Sequence, residues 1–190
     1  MRVGLLGGSF NPAHEGHRHV AELARRRLRL DQVWLLVSPG NPLKPKAGMA
    51  PLAQRLAGAR AIGDGRRIVA TAIEVALRTR YTVDTVRLLL RRFPRAQFVW
   101  IMGADILAQL PRWRRWRDIA ARVPFAVLPR SGYNHQALAG QAARRMRSLR
   151  RPDREAGLLL GRGLGWVFLT VPQNKSSATA LRLSGKGYEP

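Results

Sequence analysis

Short apolar runs alternate with segments of helical spacing along almost the whole chain, and this alternation limits the fold more than any other feature. Val3-Gly4-Leu5-Leu6 reads as a buried strand that stops at Gly7-Gly8. Residues 15–28 then carry Val20, Leu23, Ala24 and Leu28 at a helical spacing. Further strands are expected at 32–37, 68–70, 98–102, 125–128 and 166–171. Helices are expected at 52–62 and 82–92, as one or two short pieces within 106–121, over 136–149, and from about Thr179. Ser38 to Pro51 holds four prolines and two glycines and reads as a loop. Strands that are apolar on both faces, each followed by a helix, call for a parallel sheet covered on both sides. The expected architecture is an α/β, Rossmann-like, doubly wound and mainly parallel sheet. In such a sheet ligands bind at the carboxyl ends of the strands, where strand order reverses. The loops after the first, second and fourth strands are therefore the places to look for chemistry.

With 190 residues, the chain fits one domain, taken as 1–190. It has no cysteine, which excludes disulfides, zinc–thiolate sites and thiol nucleophiles. No apolar run approaches the ~20 residues of a membrane-spanning helix. The stretch before Gly7 is too short for a signal peptide, so a cytoplasmic location is expected. The charge is extreme, +23, with 34 Lys and Arg against 11 Asp and Glu. Only Lys44, Lys46, Lys175 and Lys186 are not arginine. One reading is a basic nucleic-acid-binding module. The other is a general preference for arginine, because the arginines are spread over several expected helices rather than gathered on one. Specific nucleic-acid binding is not expected on this pattern.

The loop after the first strand reads Gly7-Gly8-Ser9-Phe10-Asn11-Pro12-Ala13-His14-Glu15-Gly16-His17. Glycines there let backbone approach a ligand, and the helix that follows offers unpaired N–H groups and a partial positive charge. His14 and His17, three apart at a helix start, share a face and can donate to phosphate oxygens. Gly-Gly after a strand is equally a plain tight turn. His-x-x-His could also be a metal pair, though no third ligand stands near in sequence. Neither GxGxxG nor GxxxxGK occurs here.

This segment resembles the GGxFDPxHxGH signature of the nucleotidyltransferase superfamily named for its HxGH motif. A second signature of that superfamily, S-[SA]-T-x-[IL]-R, is matched by Ser177-Ala178-Thr179-Ala180-Leu181-Arg182. Within the superfamily the chain is most similar to the bacterial nicotinate-nucleotide adenylyltransferases, through Tyr81-Thr82-Val83-Asp84-Thr85, Met102-Gly103-Ala104-Asp105 and Leu110-Pro111-Arg112-Trp113. The resemblance runs from about Arg2 to Arg182. Asn11 stands where the family usually has aspartate, and it is given no catalytic role. The chain also stops eight residues after Arg182.

The resemblance implies adenylyl transfer from ATP to nicotinate mononucleotide, giving deamido-NAD and pyrophosphate, with Mg²⁺ arriving on the ATP. It implies that His14 and His17 contact the ATP phosphates, with His17 the more important in the transition state. Gly8, Ser9 and Phe10 would line the cleft through their backbone, and Gly103 and Asp105 would touch a nucleotide ribose. Ser177, Thr179 and Arg182 would hold the outer phosphates. Lys44, Thr82 and Trp113 would face the mononucleotide, Trp113 as a stacking wall. Ser177 and Thr179 could instead only cap a helix, Lys44 could be a solvated loop charge, Asp105 could simply favour a first helical turn, and Trp113 could be core. Two rivals remain: an enzyme like the phosphopantetheine adenylyltransferases, and the basic RNA-binding module.

Overall fold

The structure is a computed structural model, described over residues 1–40 and 48–171. Seven parallel strands form one sheet in the order β3-β2-β1-β4-β5-β7-β6. They are β1 (Arg2–Gly8), β2 (Gln32–Val37), β3 (Ile68–Thr71), β4 (Gln97–Gly103), β5 (Phe125–Leu128), β6 (Arg150–Arg151) and β7 (Trp166–Phe168). The helices are α1 (Glu15–Arg27), α2 (Leu52–Ala61), α3 (Ile73–Ala76), α4 (Thr82–Arg92), α5 (Ala104–Gln109), α6 (Trp116–Ala120), α7 (Asn134–Ala139) and α8 (Gln141–Arg145). The doubly wound α/β expectation holds, and every strand pair is parallel.

Alternation along the central strands divides the core into two layers. Phe98, Trp100 and Met102 of β4 face one layer with Leu5, Phe125 and Trp166; the helices α4 to α8 cover it. Val99 and Ile101 face the other with Leu6, Val33 and Leu35, under Ala21 and Ala24 of α1 and Ala59 of α2. Because both faces are buried, the strands read as almost unbroken apolar runs. Strand order reverses between β1 and β4, which both flank the chain's first loop.

Two expectations need correction. The helix expected over 136–149 is two helices split at Gly140, whose backbone is extended. A Cβ there would come within 2.9 Å of the Gln136 carbonyl oxygen, so glycine permits the break. The strand expected to reach Val171 ends at Phe168, because the backbone N–H of Thr170 turns aside to donate to Asp153 Oδ2 at 3.2 Å. The edge strand β6 was not foreseen. Its two residues are arginines, and Arg150 lays its guanidinium over the Trp166 ring at 5.3 Å. A 3₁₀ stretch, Asp153–Gly161, and the short α3 were likewise not foreseen. The helix expected from Thr179 lies outside the described residues. Among the described residues no helix is long and apolar enough to cross a membrane.

Candidate active site

The loop from Gly8 to His14 leaves the carboxyl end of β1 at the point of strand reversal and runs straight into α1. His14 is the N-cap of that helix. Its Nδ1 accepts from the backbone N–H of Gly16 at 3.1 Å. His17 Nδ1 accepts in return from the backbone N–H of His14 at 3.2 Å. This reciprocal cap uses imidazoles where a Ser and a Glu are more usual. It also fixes the tautomers. A ring nitrogen that accepts carries no proton, so both neutral imidazoles hold their proton on Nε2, as a donor.

Burial keeps both rings neutral. His14 is pushed below the ordinary histidine range first by burial and then by the positive charge of Arg130. His17 is pushed down to about 3, first by burial, then by His14 and by Arg130. The two ring centroids are 3.9 Å apart. Phe10 supports His17 from below, its ring 4.8 Å away. The Phe10 backbone is left-handed, with φ 48°. That turn folds its ring under the histidines and across the face of Gly8, where a Cβ would come within 3.1 Å of it. Phe10 therefore contributes a buried ring, beyond the backbone contact expected of it.

Two residues given no catalytic role by the motif, Arg55 outside it and Asn11 within it, lock this loop to its surroundings. Arg55, on α2, is 1% exposed. Its Nη1 donates to the carbonyl oxygens of Ser9 and Ser38, each at 2.7 Å, and its Nε donates to Ala50 O at 2.9 Å. The guanidinium thus ties together the loops that follow β1 and β2. The Ser9 carbonyl is turned toward this arginine. Asn11 adds a second tie: its Nδ2 donates to Gly48 O at 2.9 Å, and its Oδ1 accepts from the Ala50 N–H at 3.1 Å. One donor and one acceptor are needed, which an amide supplies and a carboxylate does not.

Across the reversal point, Gly103 ends β4 and Asp105 lies in the first turn of α5. Asp105 Oδ2 lies 3.6 Å from Arg130. Its other oxygen, Oδ1, is buried with no hydrogen-bond partner among the described residues. A Cβ at Gly103 would come within 2.5 Å of that oxygen. The segment thus presents an unsatisfied buried acceptor at the ligand edge of the sheet, suited to a hydroxyl donor.

Trp113 stands edge-on to the buried Trp100, ring centroids 6.0 Å apart, and is itself half-buried. Its backbone N–H donates to Leu110 O at 2.9 Å, so that group is not a donor for a ligand. Arg114 stacks over the Tyr81 ring at 4.7 Å, and so holds the Trp113 segment against the start of α4, where Thr82 lies. No side chain caps the first turn of α4 among the described residues. Behind it Thr85 is fully buried and donates to Glu74 Oε1 at 3.2 Å, and burial pushes the Glu74 carboxyl up. Lys44, Ser177, Thr179 and Arg182 lie outside the described residues. The structure therefore brings His14, His17, Phe10, Gly103 and Asp105 to one edge of the sheet, while Thr82 and Trp113 each adjoin a member of the Arg114–Tyr81 stack.

Residues 5–183 match the family model described as Cytidylyltransferase-like. A protein of Gluconobacter oxydans named "Probable nicotinate-nucleotide adenylyltransferase" is 63% identical over 187 residues, covering 98% of this chain and 96% of its own. A protein of the same name from Gluconacetobacter diazotrophicus is 59% identical, covering 96% and 86%. Among solved structures, Plasmodium falciparum nicotinic acid mononucleotide adenylyltransferase complexed with NaAD superposes with a TM-score of 0.68. That match has 14% identity and covers 95% of this chain and 82% of the other, a likeness of fold.

Proposed function

The chain belongs to the cytidylyltransferase-like family and groups within it with the nicotinate-nucleotide adenylyltransferases, and on that premise we propose that it transfers the adenylyl group of ATP to nicotinate mononucleotide, giving deamido-NAD and pyrophosphate. The observation that carries this reading is the pair of neutral imidazoles, both with Nε2–H donors fixed by the α1 cap. A phosphate monoester is already a nucleophile at neutral pH, so no base has to activate it. One of its oxygens bonds to the α-phosphorus, the bond from that phosphorus to the leaving pyrophosphate breaks, and the electron pair departs with pyrophosphate. The remaining work is to position two anions and to stabilise charge on the leaving group.

His14 and His17 donate to the ATP phosphates, with His17 the principal donor in the transition state. Gly8, Ser9 and Phe10 shape the floor of that cleft. Asp105 Oδ1 accepts from a ribose hydroxyl, and Gly103 leaves room for it. Thr82 and the uncapped N–H groups of the first α4 turn meet the pyridine carboxylate, and Trp113 walls the ring. Those donors favour nicotinate, because the NH₂ of an amide would leave them unpaired. By sequence resemblance Lys44, Ser177, Thr179 and Arg182 complete the set. No cluster of three or more His, Cys, Asp or Glu among the described residues could hold a metal. Mg²⁺ would arrive bound to ATP and would supply charge neutralisation at the triphosphate and the leaving pyrophosphate. Cytoplasmic work, as one 1–190 domain, belongs to the same proposal.

The test is pyrophosphate release measured in parallel with nicotinate mononucleotide, nicotinamide mononucleotide and phosphopantetheine, with and without Mg²⁺. Turnover is expected only when ATP, Mg²⁺ and a pyridine mononucleotide are all present, and fastest with nicotinate. Robust turnover with phosphopantetheine and none with nicotinate mononucleotide would overturn the reading.

A further inference from the structure

A short turn joins α3 to α4, and three polar side chains close it from behind. α3 ends in a Schellman turn: the Thr79 N–H donates to Glu74 O at 2.9 Å and the Arg78 N–H to Val75 O at 3.0 Å, with Arg78 left-handed at φ 51°. Thr79 and Thr85 then meet across the turn, their Oγ1 atoms 2.8 Å apart. Thr85 Oγ1 lies 3.2 Å from Glu74 Oε1 and 3.3 Å from Tyr81 O. Each hydroxyl has one proton to give, and a carboxylate is a stronger acceptor than a backbone carbonyl. The chain therefore runs from Thr79 O–H to Thr85 Oγ1, and from Thr85 O–H to Glu74 Oε1. Thr85 is fully buried and Glu74 half-buried.

This network lies directly behind the first turn of α4. There the N–H groups of Asp84 and Thr85 donate to Tyr81 O, at 3.0 and 3.1 Å, whereas those of Thr82 and Val83 have no partner among the described residues. A helix of four residues has little stability of its own, so α3 cannot fix the direction of these two donors by itself. Their direction depends on what ties the start of α4 to its surroundings. On one side Arg114 and Arg80 lie over the Tyr81 ring, 4.7 and 5.8 Å from its centre. On the inner side the tie is Thr85 with Glu74. Burying these polar groups carries a desolvation cost that apolar packing avoids; the satisfied network gives a fixed direction that apolar packing does not. We propose that Glu74 is a positioning residue for the mononucleotide: through Thr85 it holds the first α4 turn at the angle from which the Thr82 and Val83 N–H groups meet the pyridine carboxylate. This rests on the adenylyl-transfer reading and on the place given there to Thr82. Glu74 itself touches no substrate. Hydrogen bonds weaken steeply as their angle closes, so a small rotation of α4 weakens nicotinate binding first and leaves ATP, at the His14–His17 end, unaffected. A nicotinamide offers these donors one acceptor oxygen instead of two and is weakened less.

The test uses the full chain with Glu74→Ala, Glu74→Gln, Thr85→Val, and the pair Glu74→Leu with Thr85→Val. Steady-state rates are measured against each substrate, with nicotinamide mononucleotide in parallel, and Tm is recorded for every variant. Glu74→Ala and Thr85→Val are expected to raise KM for nicotinate mononucleotide about tenfold, the low end for one hydrogen bond lost to a charged group, with kcat and KM for ATP little changed. The preference for nicotinate over nicotinamide should fall by a similar factor. Glu74→Gln keeps the acceptor and should restore most of both. The paired variant removes donor and acceptor together, which spares the fold an unpaired buried group. Its Tm should stay near wild type while its KM for nicotinate mononucleotide stays raised. Unchanged KM in a folded Glu74→Ala, equal rises for both substrates, an unchanged nicotinate preference, or a KM rise confined to variants whose Tm collapses would each overturn the assignment and leave the adenylyl-transfer reading intact. A wild-type protein inactive with nicotinate mononucleotide would overturn the reaction itself and this assignment with it.

Discussion

At the scale of the residue, the protonation of His17 is set by its surroundings. It titrates near 6.5 in an unfolded chain and near 3 when folded, because burial disfavours the cation. Between those values the unfolded chain binds a proton that the folded one refuses. Stability therefore falls as pH drops below 6.5, by about 1.4 kcal/mol per pH unit from this group, and His14 adds to it with the same sign. Above 6.5 neither contributes. His17→Gln should flatten the acid side of a urea-midpoint profile, and an unchanged slope would show that His17 titrates normally in the fold. In catalysis, His17→Ala should lower kcat by about 10²-fold or more, as expected for one lost donor to a charged transition state. Near-normal kcat would leave the ring only its capping role. Trp113→Ala should raise KM for nicotinate mononucleotide, by a loss of about 1–3 kcal/mol for a stacked base, and leave KM for ATP unchanged. An equal rise for both, or a lowered Tm with normal KM, would make Trp113 packing against Trp100. The histidines were legible in the sequence because their spacing and the neighbouring glycines form a motif. Arg55 and Arg130 were not, since each is one arginine among many and only the fold shows which carbonyls or carboxylates they meet.

At the scale of the element, the working surface is built by ties between segments far apart in the chain. Arg55 on α2 joins the loops after β1 and β2, and Asn11 joins the first loop to Gly48 and Ala50. Replacing Arg55 with Met keeps much of the volume but leaves three buried carbonyls without these donors. Unsatisfied acceptors of this kind cost about 1–3 kcal/mol each, so a Tm fall of several degrees is expected, and kcat should fall at temperatures where the variant is still folded. Unchanged kcat in the folded variant would confine Arg55 to stability. Asn11→Asp sets a carboxylate oxygen against the Gly48 carbonyl and should destabilise for the same reason, despite the family's usual aspartate. A Tm equal to or above wild type would show that the loop reorganises around the acid. The central strands were legible because burial on both faces leaves them continuously apolar, and 32–37, 82–92 and 125–128 match the structure to the residue. Elements without that signature were not. β6 is two arginines held by a tryptophan from the next strand, and the break at Gly140 depends on a carbonyl four residues back.

At the scale of the whole molecule, 34 basic side chains against 11 acidic ones cannot all be paired. Pairs such as Arg27–Asp153 at 2.6 Å and Arg26–Glu22 at 3.4 Å engage acids, and the excess of basic groups leaves a net charge of +23. Self-repulsion of this sort opposes the compact state and is screened by salt, with a Debye length of about 10 Å at 0.1 M. The same field draws anions, and both proposed substrates are anions that must reach one edge of the sheet. One cause therefore gives two effects of opposite sign. Between about 0.02 and 0.2 M NaCl, with free Mg²⁺ held constant, Tm should rise as repulsion is screened. Over the same range kcat/KM should fall as steering is lost, while kcat, which begins from the bound complex, should hold. A kcat/KM insensitive to salt would show that the surface charge is irrelevant to substrate capture. RNA should bind weakly, without sequence preference, and release across the same interval, as phosphate contacts of that kind do. Sequence-specific RNA binding that persisted at about 0.2 M salt would mean the arginines form a built surface, and the charge would then have to be explained by a partner rather than by composition.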